Sequence, residues 1–525
     1  MKNTAILLLA ALSALRLSAQ PEPQWSRTLP KSSALATITV VAFADGYAFA
    51  GTFTDTVSLA GHVLRSKGGR DVFVLHVNKD GQTLKAVSFG GPGDDTPSCM
   101  AASDSVLYVC GKSECSAGNA LFIRSIGPDF RPLSHVEFPY SGKMNADVIA
   151  KMPGSLALGG SLKGRMALGD KVVQSGDSEH AFLALLTETL ESRSVWTSEG
   201  SGKHRLHSLV SDGSDGIVLA LNVADGTLEI PGAPTLLLEG EGIVLAGIDG
   251  ELSPKWVNTL LCDGYVEASD MASHGDGFVV CANFNGTLAT QDSVLASRCG
   301  LSSLVIRYGQ SGNLDWMARV DSDEYCRSLD VDTSGGLVLC TGYHFGDLSV
   351  QGDILQKSPT RETFLLAFDD HGQLQWHINV EQREPCGGRR MACDSISLLL
   401  CGDGETASFS ERYLFREDNG EKESCDGKPT MNPCMDAEAR LDMESIQGAS
   451  LLAFPNPVRS LLYWRVAEVG DWSMELYDAN GVCLVREAFR GTQSGCLDMS
   501  RVAAGIYTLK TYSNNNTCQQ SIVKY

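Results

Sequence analysis

The chain has 525 residues, of which 54 are glycine, and it carries a formal net charge of −21. This acidic balance, together with the absence of any basic run of five residues, argues against nucleic acid and anionic membranes as partners, because phosphate binding requires clustered lysine and arginine. Hydrophobic residues make up 43% and charged residues 20%, a globular and turn-rich composition. The length allows about two or three domains, or one large repeat domain followed by a small one.

The N-terminus has the features of a secretory signal peptide over residues 1–19. Lys2 supplies the positive charge, and Ala5 to Leu15 form an apolar stretch that is too short to span a bilayer. Ser18-Ala19 provides the small residues expected at a cleavage site. A buried N-terminal helix is the alternative. No other segment approaches about 18 apolar residues, so we expect a soluble mature protein without an integral membrane segment.

A segment that recurs at nearly constant spacing gives most of the architecture. Its copies are YAFAGTF (47–53), LYVCGKS (107–113), LALGGSL (156–162), IVLALNV (217–223), FVVCANF (278–284), LVLCTGY (337–343) and LLLCGDG (398–404). The fourth residue is small in every copy: Ala50, Cys110, Gly159, Ala220, Cys281, Cys340 and Cys401. A position that admits only small side chains indicates crowding, so we interpret these cysteines as packing residues rather than as redox or metal-binding thiolates.

Each copy is accompanied by further strand signals, including apolar runs that mostly end in a glycine turn. Tryptophans mark another strand of the repeat: Trp196, Trp256, Trp316 and Trp376. Four strands per repeat of about sixty residues predict an all-β fold, a seven-bladed β-propeller over 20–420. A solenoid is the alternative, although it would require capping repeats at both ends.

The two ends of the repeat region are expected to pair. The last repeat supplies only three strands, ending at YLFRED (413–418), whereas QWSRTLP (24–30) is left over at the N-terminus. If 24–30 lies beside 413–418, it completes the seventh blade and removes two exposed sheet edges. We therefore expect a ring closed by the N-terminal strand.

The repeats resemble a family of bacterial propeller repeats, the SBBP-like repeats. The first copy carries the resemblance best, in GRDVFVLHVNKDGQTLKAVSFGGPGDD (69–95) followed by VLYVCG (106–111). Later copies keep the frame but lose the GG-x-GD turn. The resemblance covers about 24 to 420 and implies the fold rather than an activity, because such repeats occur on secreted and surface proteins with no shared chemistry.

A separate region begins after a polar segment, 421–450, that we interpret as a linker. The prolines of FPNPV (454–458) block a helix and leave an extended entry into a strand. In YDANGVCLV (477–485), Asn480-Gly481 lies between apolar runs and predicts a hairpin, because that turn requires positive φ. These signals predict a small β-sandwich-like domain over 451–525.

This tail resembles the C-terminal sorting domain of the type IX (Por) secretion system of Bacteroidetes; an ordinary accessory β-sandwich is the alternative. The resemblance rests on FPNPV, LYDANG (476–481), LDMSRVAAGIYTLK (497–510) and the terminal IVKY. It implies export through the periplasm and outer membrane, removal of the tail, and release or anchoring at the cell surface. The sorting-motif residues that it identifies are Phe454, Pro455, Asn456, Pro457, Asn480, Gly481, Gly505 and Tyr507.

The sequence contains no signature of a catalytic site, a metal site or a cofactor site that we recognise. His204 and His207 are three residues apart, but no third ligand is placed, and we interpret the pair as surface polar residues. Asp330 and Asp332 resemble the start of a calcium loop, yet a strand follows, so turn chemistry explains them better. Four acidic residues follow the tryptophan-type strands and could reach a central mouth, although nothing singles them out: Asp94, Asp95, Asp321 and Glu324.

These observations favour a secreted or surface-displayed propeller that acts as a non-catalytic binding or scaffold module, with no cofactor. Its expected partners are the type IX machinery, through 451–525, and a surface glycan or protein ligand. The alternatives are a propeller glycan hydrolase or lyase and a structural surface-layer component. A cluster of perturbed carboxylates at the mouth would favour the enzyme, and an exposed aromatic patch would favour the binding module.

Overall fold

The computed structural model consists of β-strands joined by turns. It describes residues 21, 23–30, 35–59, 61–115, 118–212, 216–290, 293–298, 300–358, 361–380, 386–394, 397–404, 407–414, 451–454, 461–478, 481–499, 502–503, 505–512 and 517–524. Within these residues there is no helix, and hence none long and apolar enough to cross a membrane. The predicted signal peptide (1–19) and linker (421–450) lie outside them.

Strands up to residue 414 form antiparallel four-strand units, which we letter A to G. Unit A comprises Leu35–Phe43, Gly46–Phe53, Asp71–Asn78 and Thr83–Phe89; unit B comprises Asp94–Ala102, Leu107–Cys115, Gly118–Ile126 and the first half of Pro132–Met152. Unit C comprises the second half of Pro132–Met152, then Ser155–Leu168, His180–Leu186 and Ser192–Thr197; unit D comprises Lys203–Ser211, Ile217–Glu229, Leu236–Ile248 and Pro254–Cys262. Unit E comprises Tyr265–His274, Gly277–Asn285, Ser302–Gly309 and Leu314–Ser322; unit F comprises Tyr325–Ser334, Leu337–Phe345, Glu362–Phe368 and Leu374–Val380. Unit G comprises Cys386–Cys393, Ser397–Gly404, Ala407–Leu414 and Pro23–Pro30.

Shorter strands lie between the main strands of these units along the chain. They are Thr56–Leu59, His62–Arg65, Lys171–Gln174, Glu199–Gly200, Thr287–Ala289, Val294–Ala296, Leu348–Val350 and Asp353–Gln356. Thr287–Ala289 pairs with the last strand of unit D, and Leu348–Val350 pairs with the last strand of unit E. An insertion in one unit therefore adds a strand to the outer edge of the unit before it, which ties neighbours together.

The tail forms its own sheet. Its strands are Leu451–Phe454, Leu461–Tyr477, Cys483–Asp498, Gly505–Tyr512 and Thr517–Lys524. Its buried cluster, which includes Trp472, Met474 and Leu509, contains tail residues alone. The tail therefore has a hydrophobic core separate from those of the four-strand units.

Neighbouring units pack face to face at the position that is always small. A Cβ atom added to Gly159 would lie 2.3 Å from Cδ2 of Leu206 in the next unit. Cys281 and Cys340, in units E and F, are both fully buried, and their sulfur atoms are 3.4 Å apart. The crowding expected from the sequence is present, and its cause is the close approach of one sheet to the next.

Tryptophan side chains tie units D and E to a turn of the unit that follows each of them. The indole N–H of Trp256 donates to the carbonyl of Gln310 at 2.8 Å, and that of Trp316 donates to the carbonyl of Asp370 at 2.9 Å. The second of these turns contains Gly372, whose φ of 75° favours glycine. A Cβ atom there would lie 2.7 Å from Cδ2 of Trp316. The constant spacing of tryptophan and glycine thus follows from one contact between neighbouring units.

Side-chain amides satisfy the open edge of the first strand in some units. The Ala268 N–H donates to Oδ1 of Asn222 at 2.7 Å, and Nδ2 of Asn222 donates to the Ala268 carbonyl at 3.2 Å. Asn283 does the same for the N–H and carbonyl of Ser328, at 2.8 and 2.9 Å. Because each asparagine belongs to the preceding unit, it replaces the missing strand partner and fixes the position of one unit against the next.

The N-terminal strand lies where the sequence predicts a partner for it. Pro23–Pro30 pairs antiparallel with Ala407–Leu414, with Trp25 opposite Arg412 and Pro30 opposite Ala407. The partner strand lies several residues earlier than the predicted 413–418, and 415–418 lie outside the described residues. A buried cluster also joins unit G to unit A, through Leu399 and Phe73, and the Tyr47 and Ser397 hydroxyls are 2.8 Å apart.

We expect deletion of 20–30 to lower the free energy of unfolding by several kcal/mol, because one strand of unit G and its ladder of hydrogen bonds are lost. Urea denaturation of the two proteins measures the change. Deletion of 1–22 alone, which leaves the strand intact, is the control. An unchanged unfolding midpoint after deletion of 20–30 would show that the strand contributes nothing.

Gly372→Ala should destabilise the protein more than Gly335→Ala. Both glycines have positive φ, but a Cβ atom at Gly335 meets nothing within 4 Å, so that variant should cost only about 1 kcal/mol of backbone strain. At Gly372 the methyl group must displace the Trp316 ring, which adds about 1–3 kcal/mol of overpacking. Thermal unfolding of both variants makes the comparison, and equal costs would contradict the proposed contact.

Stability should depend on pH through Asp332. Its carboxylate accepts the N–H groups of Thr333 and of Cys393 in unit G, both at 2.8 Å, yet burial raises its pKa to about 6. The folded protein therefore binds this proton more tightly than the unfolded chain, so the stability contributed by Asp332 falls as pH rises from about 4 to about 6. Asp332→Asn, measured by denaturation across this range, should lose that part of the slope. An identical slope in the variant would refute the assignment.

Candidate functional site

The first strand of each unit contains a β-bulge at the same place. In every case the register skips one residue: Ile38, Ser98, Asp147, His207, Ser269, Leu329 and Gly388. A bulge leaves its extra residue outside the ladder and re-aims the adjacent side chains. The bulges therefore bring non-equivalent residues from different units toward one another.

Side chains from the bulged segments line a cavity of about 180 Å³. The lining residues come from units B, C, D, E and G: Ser98, Lys112, Asn145, Ala146, Asp147, Val148, His207, Ser208, Ser269, Asp270 and Arg390. Burial raises the pKa of Asp147, although His207, Arg205 and Lys112 oppose the rise. The cavity is polar and contains charges of both signs, and it lies where the first strands of several units meet.

Asp270 faces this cavity and forms bonds in two directions. Its Oδ1 accepts the Ser208 hydroxyl of unit D at 3.1 Å, and its Oδ2 accepts the Val331 N–H of unit F at 3.3 Å. The carboxyl group also hydrogen-bonds to that of Asp330. One acidic side chain thus contacts the first strands of both neighbouring units.

Asp330 continues the same pattern toward unit G. Its Oδ1 accepts from Arg390 at 3.2 Å, and its Oδ2 accepts the Met391 N–H. Burial and the adjacent Asp270 raise the pKa of Asp330 well above its ordinary value, while Arg390 opposes the rise. Since every oxygen of the two carboxyl groups has a protein partner, the pair is committed to joining units D, E, F and G.

Two residues before the bulges, charged side chains form ion pairs and hydrogen bonds. Arg205 contacts Glu179 at 2.9 Å, and this bond to the guanidinium helps to hold the pKa of Glu179 below its ordinary value although burial raises it. Arg327 of unit F pairs with Glu267 of unit E. The two ion pairs join neighbouring strands or units. They fix the charged side chains that lie between each bulge and the start of its strand.

An aromatic surface that includes two arginines lies at the start of the first strands of units E and F. We call it the rim patch and define it by six residues: Tyr265, Tyr325, Arg327, Tyr343, Phe345 and Arg361. Tyr265 and Phe345 are 36% and 37% exposed, which is unusual for large aromatic side chains in a sheet.

The side chains of the rim patch are ordered by contacts with one another. The rings of Tyr325 and Tyr343 stack with centroids 5.7 Å apart, and the guanidinium carbon of Arg361 lies 3.8 Å from the centroid of Tyr343. Arg327 interacts electrostatically with the hydroxyls of all three tyrosines. Burial and the hydrogen bond to Tyr343 raise the pKa of Tyr325 to about 12, so its hydroxyl stays protonated at neutral pH. The arrangement is a preformed aromatic surface in which Arg327 is paired with Glu267 and Arg361 is stacked on Tyr343.

The structure corrects two interpretations made from the sequence. His204 is not a surface residue: it is fully buried, with its imidazole nitrogens against the Ser198 hydroxyl and the carbonyls of Ser201 and Thr227. Sequence reasoning missed this because backbone carbonyls, which carry no signature, satisfy the ring. His207 instead lines the cavity and contacts the Ser269 carbonyl at 2.9 Å.

Asp330 and Asp332 were assigned to a turn, but both lie within the strand Tyr325–Ser334. Their separation by one residue reflects the two-residue period of a strand, which points both carboxylates toward the next unit. Among the described residues, no three His, Cys, Asp or Glu side chains lie close enough together to hold a metal ion.

The four acidic residues that the sequence suggests for a central mouth do not form one cluster. Asp94 pairs with Arg70 at 2.9 Å, and hydrogen bonds from Arg70 lower its pKa. Asp95 is buried and accepts the Gly91 N–H at 2.7 Å, whereas Asp321 is buried beside Arg319. Glu324 is exposed.

The structure describes part of the predicted sorting motif in the tail. Gly481, with φ of 80°, lies in the turn between Leu461–Tyr477 and Cys483–Asp498, and its N–H donates to the Asp478 carbonyl at 3.0 Å. Gly505 begins a strand, and the hydroxyl of the buried Tyr507 donates to the Ala503 carbonyl at 2.7 Å. Phe454 ends the first tail strand; Pro455, Asn456, Pro457 and Asn480 lie outside the described residues.

Solved structures with some similarity to this chain include the acylaminoacyl peptidase of Pyrococcus horikoshii, with 11% identity, 83% of this chain and 58% of that chain covered, and a TM-score of 0.40. The β-propeller domain of the Trilobed protease from Pyrococcus furiosus has 10% identity, with 75% and 98% covered and a TM-score of 0.40. The phage phi92 endosialidase has 11% identity, with 95% and 87% covered and a TM-score of 0.32. The chain thus spans little more than half of the peptidase's length, and similarities this weak carry no conclusion about activity.

No curated protein matches the chain. One family model does: residues 452–525 match the secretion system C-terminal sorting domain. The match covers the tail whose separate sheet and core are described above. Residues 452–525 are therefore a C-terminal sorting domain of the type IX (Por) secretion system, which marks the protein for export to the cell surface or the extracellular space.

Proposed function

We propose that units A to G are the blades of one closed seven-bladed propeller, and that the exported protein serves as a non-catalytic binding or scaffold module. Its partners would be the type IX machinery, through the tail, and a surface glycan or protein ligand. The proposal concerns a secreted or surface-attached protein of a Gram-negative cell.

Ring closure is supported by contacts between the first and last units. The cluster containing Phe73 and Leu399 joins units A and G, and Pro23–Pro30 forms the outer strand of unit G. Similar buried clusters join the consecutive units, for example E to F through Val279 and Phe364. A ring that shares a core at every junction holds the first strands in a fixed geometry.

The observation that carries the binding role is the rim patch. Exposed aromatic side chains beside arginine are characteristic of binding surfaces, because they supply large contact areas at low entropic cost. Tyr265 and Phe345 are exposed, while stacking and ion pairing hold the neighbouring Tyr343 and Arg327 in place. A preorganised surface of this kind loses little conformational freedom when a ligand binds.

A glycan hydrolase or lyase is the second candidate, and the Asp270–Asp330 pair is the observation that favours it. Two interacting carboxyl groups, one with a raised pKa, occur in many active sites. Glycosidases, however, usually hold their two carboxyl groups about 5 Å or more apart so that the sugar fits between them. Asp270 and Asp330 contact each other directly, and their oxygens bind neighbouring units, so a role in holding the ring accounts for them better.

Binding without turnover can be tested with polysaccharide purified from the surface of the producing cell. In affinity electrophoresis the mature protein should be retarded, and Tyr265→Ala should weaken retention about tenfold through loss of an aromatic contact. Leu133→Ala, which removes an exposed apolar side chain of unit B, is the control.

The same incubation distinguishes the alternatives. The polysaccharide should keep its chain length and gain no new ends. New reducing or unsaturated ends would favour the enzyme. Absence of retention, both of the polysaccharide and of extracted surface proteins, would favour the structural surface-layer role.

Deletion of 451–525 should leave the melting transition of the remaining chain nearly unchanged, because the tail has its own core. The truncated protein should accumulate in the periplasm with its signal peptide removed. Cell fractionation and mass determination measure both results. As the complementary arm, 451–525 fused behind an unrelated exported protein should carry it to the surface in a host with the machinery. Full surface delivery of the truncated protein would contradict the export proposal.

A further inference from the structure

Two thiols meet at the junction between units E and F. Cys281 lies in the strand Gly277–Asn285 of unit E, and Cys340 lies in the strand Leu337–Phe345 of unit F. Both side chains are fully buried, and their sulfur atoms are 3.4 Å apart. Closing this distance to about 2 Å, the length of a disulfide bond, requires each sulfur to move by about 0.7 Å. A modest rotation about each Cα–Cβ bond provides a movement of that size.

The hydrogen bonds that these two thiols make are weak. The Cys340 thiol donates to the Ser328 hydroxyl at 3.4 Å, and the other contact is between the two sulfur atoms themselves. Thiols are weak donors and weak acceptors, so little is lost when one S–S bond replaces both S–H groups. The bond also keeps the packing role that the sequence assigns to these residues, because it removes only two hydrogen atoms from the crowded interface.

The export of the protein supplies the conditions for a disulfide. The C-terminal sorting domain marks the chain for export to the cell surface or the extracellular space. Disulfide bonds form and persist in the periplasm and outside the cell, whereas cytosolic thiols are kept reduced. Two thiols in contact are therefore expected to be oxidised in this protein.

The Cys281–Cys340 pair differs from a second cysteine pair in what it would link. Cys99 and Cys110 lie opposite each other in adjacent strands of unit B, so a bond between them would close a short hairpin that the strand ladder already holds. Cys281 and Cys340 are 59 residues apart and belong to different units. Because a disulfide restricts the unfolded chain more when it closes a longer loop, the bond between units would stabilise the fold more.

We propose that Cys281 and Cys340 form a disulfide bond in the exported protein and thereby link unit E to unit F. The thiolate of one cysteine attacks a disulfide-bonded oxidant, and the second cysteine then displaces the oxidant from the mixed disulfide. Two protein S–H bonds are lost and one S–S bond forms, while the two electrons and two protons reduce the oxidant to a pair of thiols. In the structure both cysteines are free thiols, the reduced form of the pair.

Burial determines when the bond can form. Burial and the contact with Cys340 raise the pKa of the Cys281 thiol well above its ordinary value, so the folded protein holds almost no thiolate at this position. Neither side chain is exposed, and hence an oxidant cannot reach the sulfur atoms once units E and F have packed. The bond therefore forms while the chain folds, and burial then protects it from reductants. It would hold together the two units that supply the rim patch.

Peptide mapping of protein collected from the surface or the medium of the producing cell tests the proposal. Free thiols are blocked with iodoacetamide in denaturant, and the protein is then digested with trypsin and a glutamate-specific protease. Cleavage gives 268–298 and 328–357, in which Cys281 and Cys340 are the respective single cysteines. The two peptides should be recovered as one linked species that separates only after reduction.

The peptide 256–267 is the control in the same digest. Its single cysteine, Cys262, donates to the Asn285 carbonyl at 3.3 Å and should carry the iodoacetamide label without reduction. Recovery of 268–298 and 328–357 as separate labelled peptides would overturn the inference. Linkage of Cys281 to any cysteine other than Cys340 would overturn it as well.

Thermal unfolding gives a second readout. Cys281→Ala should fold, because Ala50 and Ala220 occupy the equivalent position in units A and D. Without reductant the exported wild type should melt about 5 °C above Cys281→Ala. Excess dithiothreitol, which reduces the bond as the chain unfolds, should largely close this gap. For Cys262→Ala, the matched control, the gap should not depend on dithiothreitol, and the same independence in Cys281→Ala would contradict the bond.

Discussion

The packing of one four-strand unit against the next is the constraint on which the rest of the structure depends. Each interface has a position where two sheets approach so closely that only glycine, alanine or cysteine fits, as the Gly159–Leu206 and Cys281–Cys340 contacts show. The same approach brings Trp316 onto the turn at Gly372. Because close-packed interiors tolerate little change in volume, these contacts set the distance and angle between units for all the polar groups that lie further in.

Hydrogen bonds and ion pairs then fix the position of the first strand of one unit against the unit beside it. In units E, F and G, asparagines and aspartates of the preceding unit bind to the open edge of the first strand, as Asn283 does for Ser328. An acidic pair at this place, in which Asp330 is buried, is expensive unless every oxygen is satisfied, and Asp270 and Asp330 meet that condition through four neighbouring units. The outcome is a rigid framework that holds the exposed Tyr265 and Phe345 of the rim patch in place.

The sequence predicts the architecture far better than the site, and the reason is repetition. Small residues such as Cys340, and tryptophans such as Trp316, recur because the same packing constraint acts in several units. One sequence therefore shows the same residue pattern several times. The cavity and the rim patch depend instead on residues that differ between units, and Tyr265 and Arg361 carry no spacing signal. His204 was misassigned for a related reason, since the carbonyl groups that make its burial possible leave no trace in sequence.

Hydrogen exchange on the mature protein tests most directly the claim that the units form one ring closed by the N-terminal strand. The account predicts that amides of Pro23–Pro30 that donate to Ala407–Leu414 exchange as slowly as those of the central strand Ser397–Gly404, through the same global opening. Fast exchange of the N-terminal strand, typical of a frayed terminus, together with slow exchange in Ser397–Gly404, would contradict it.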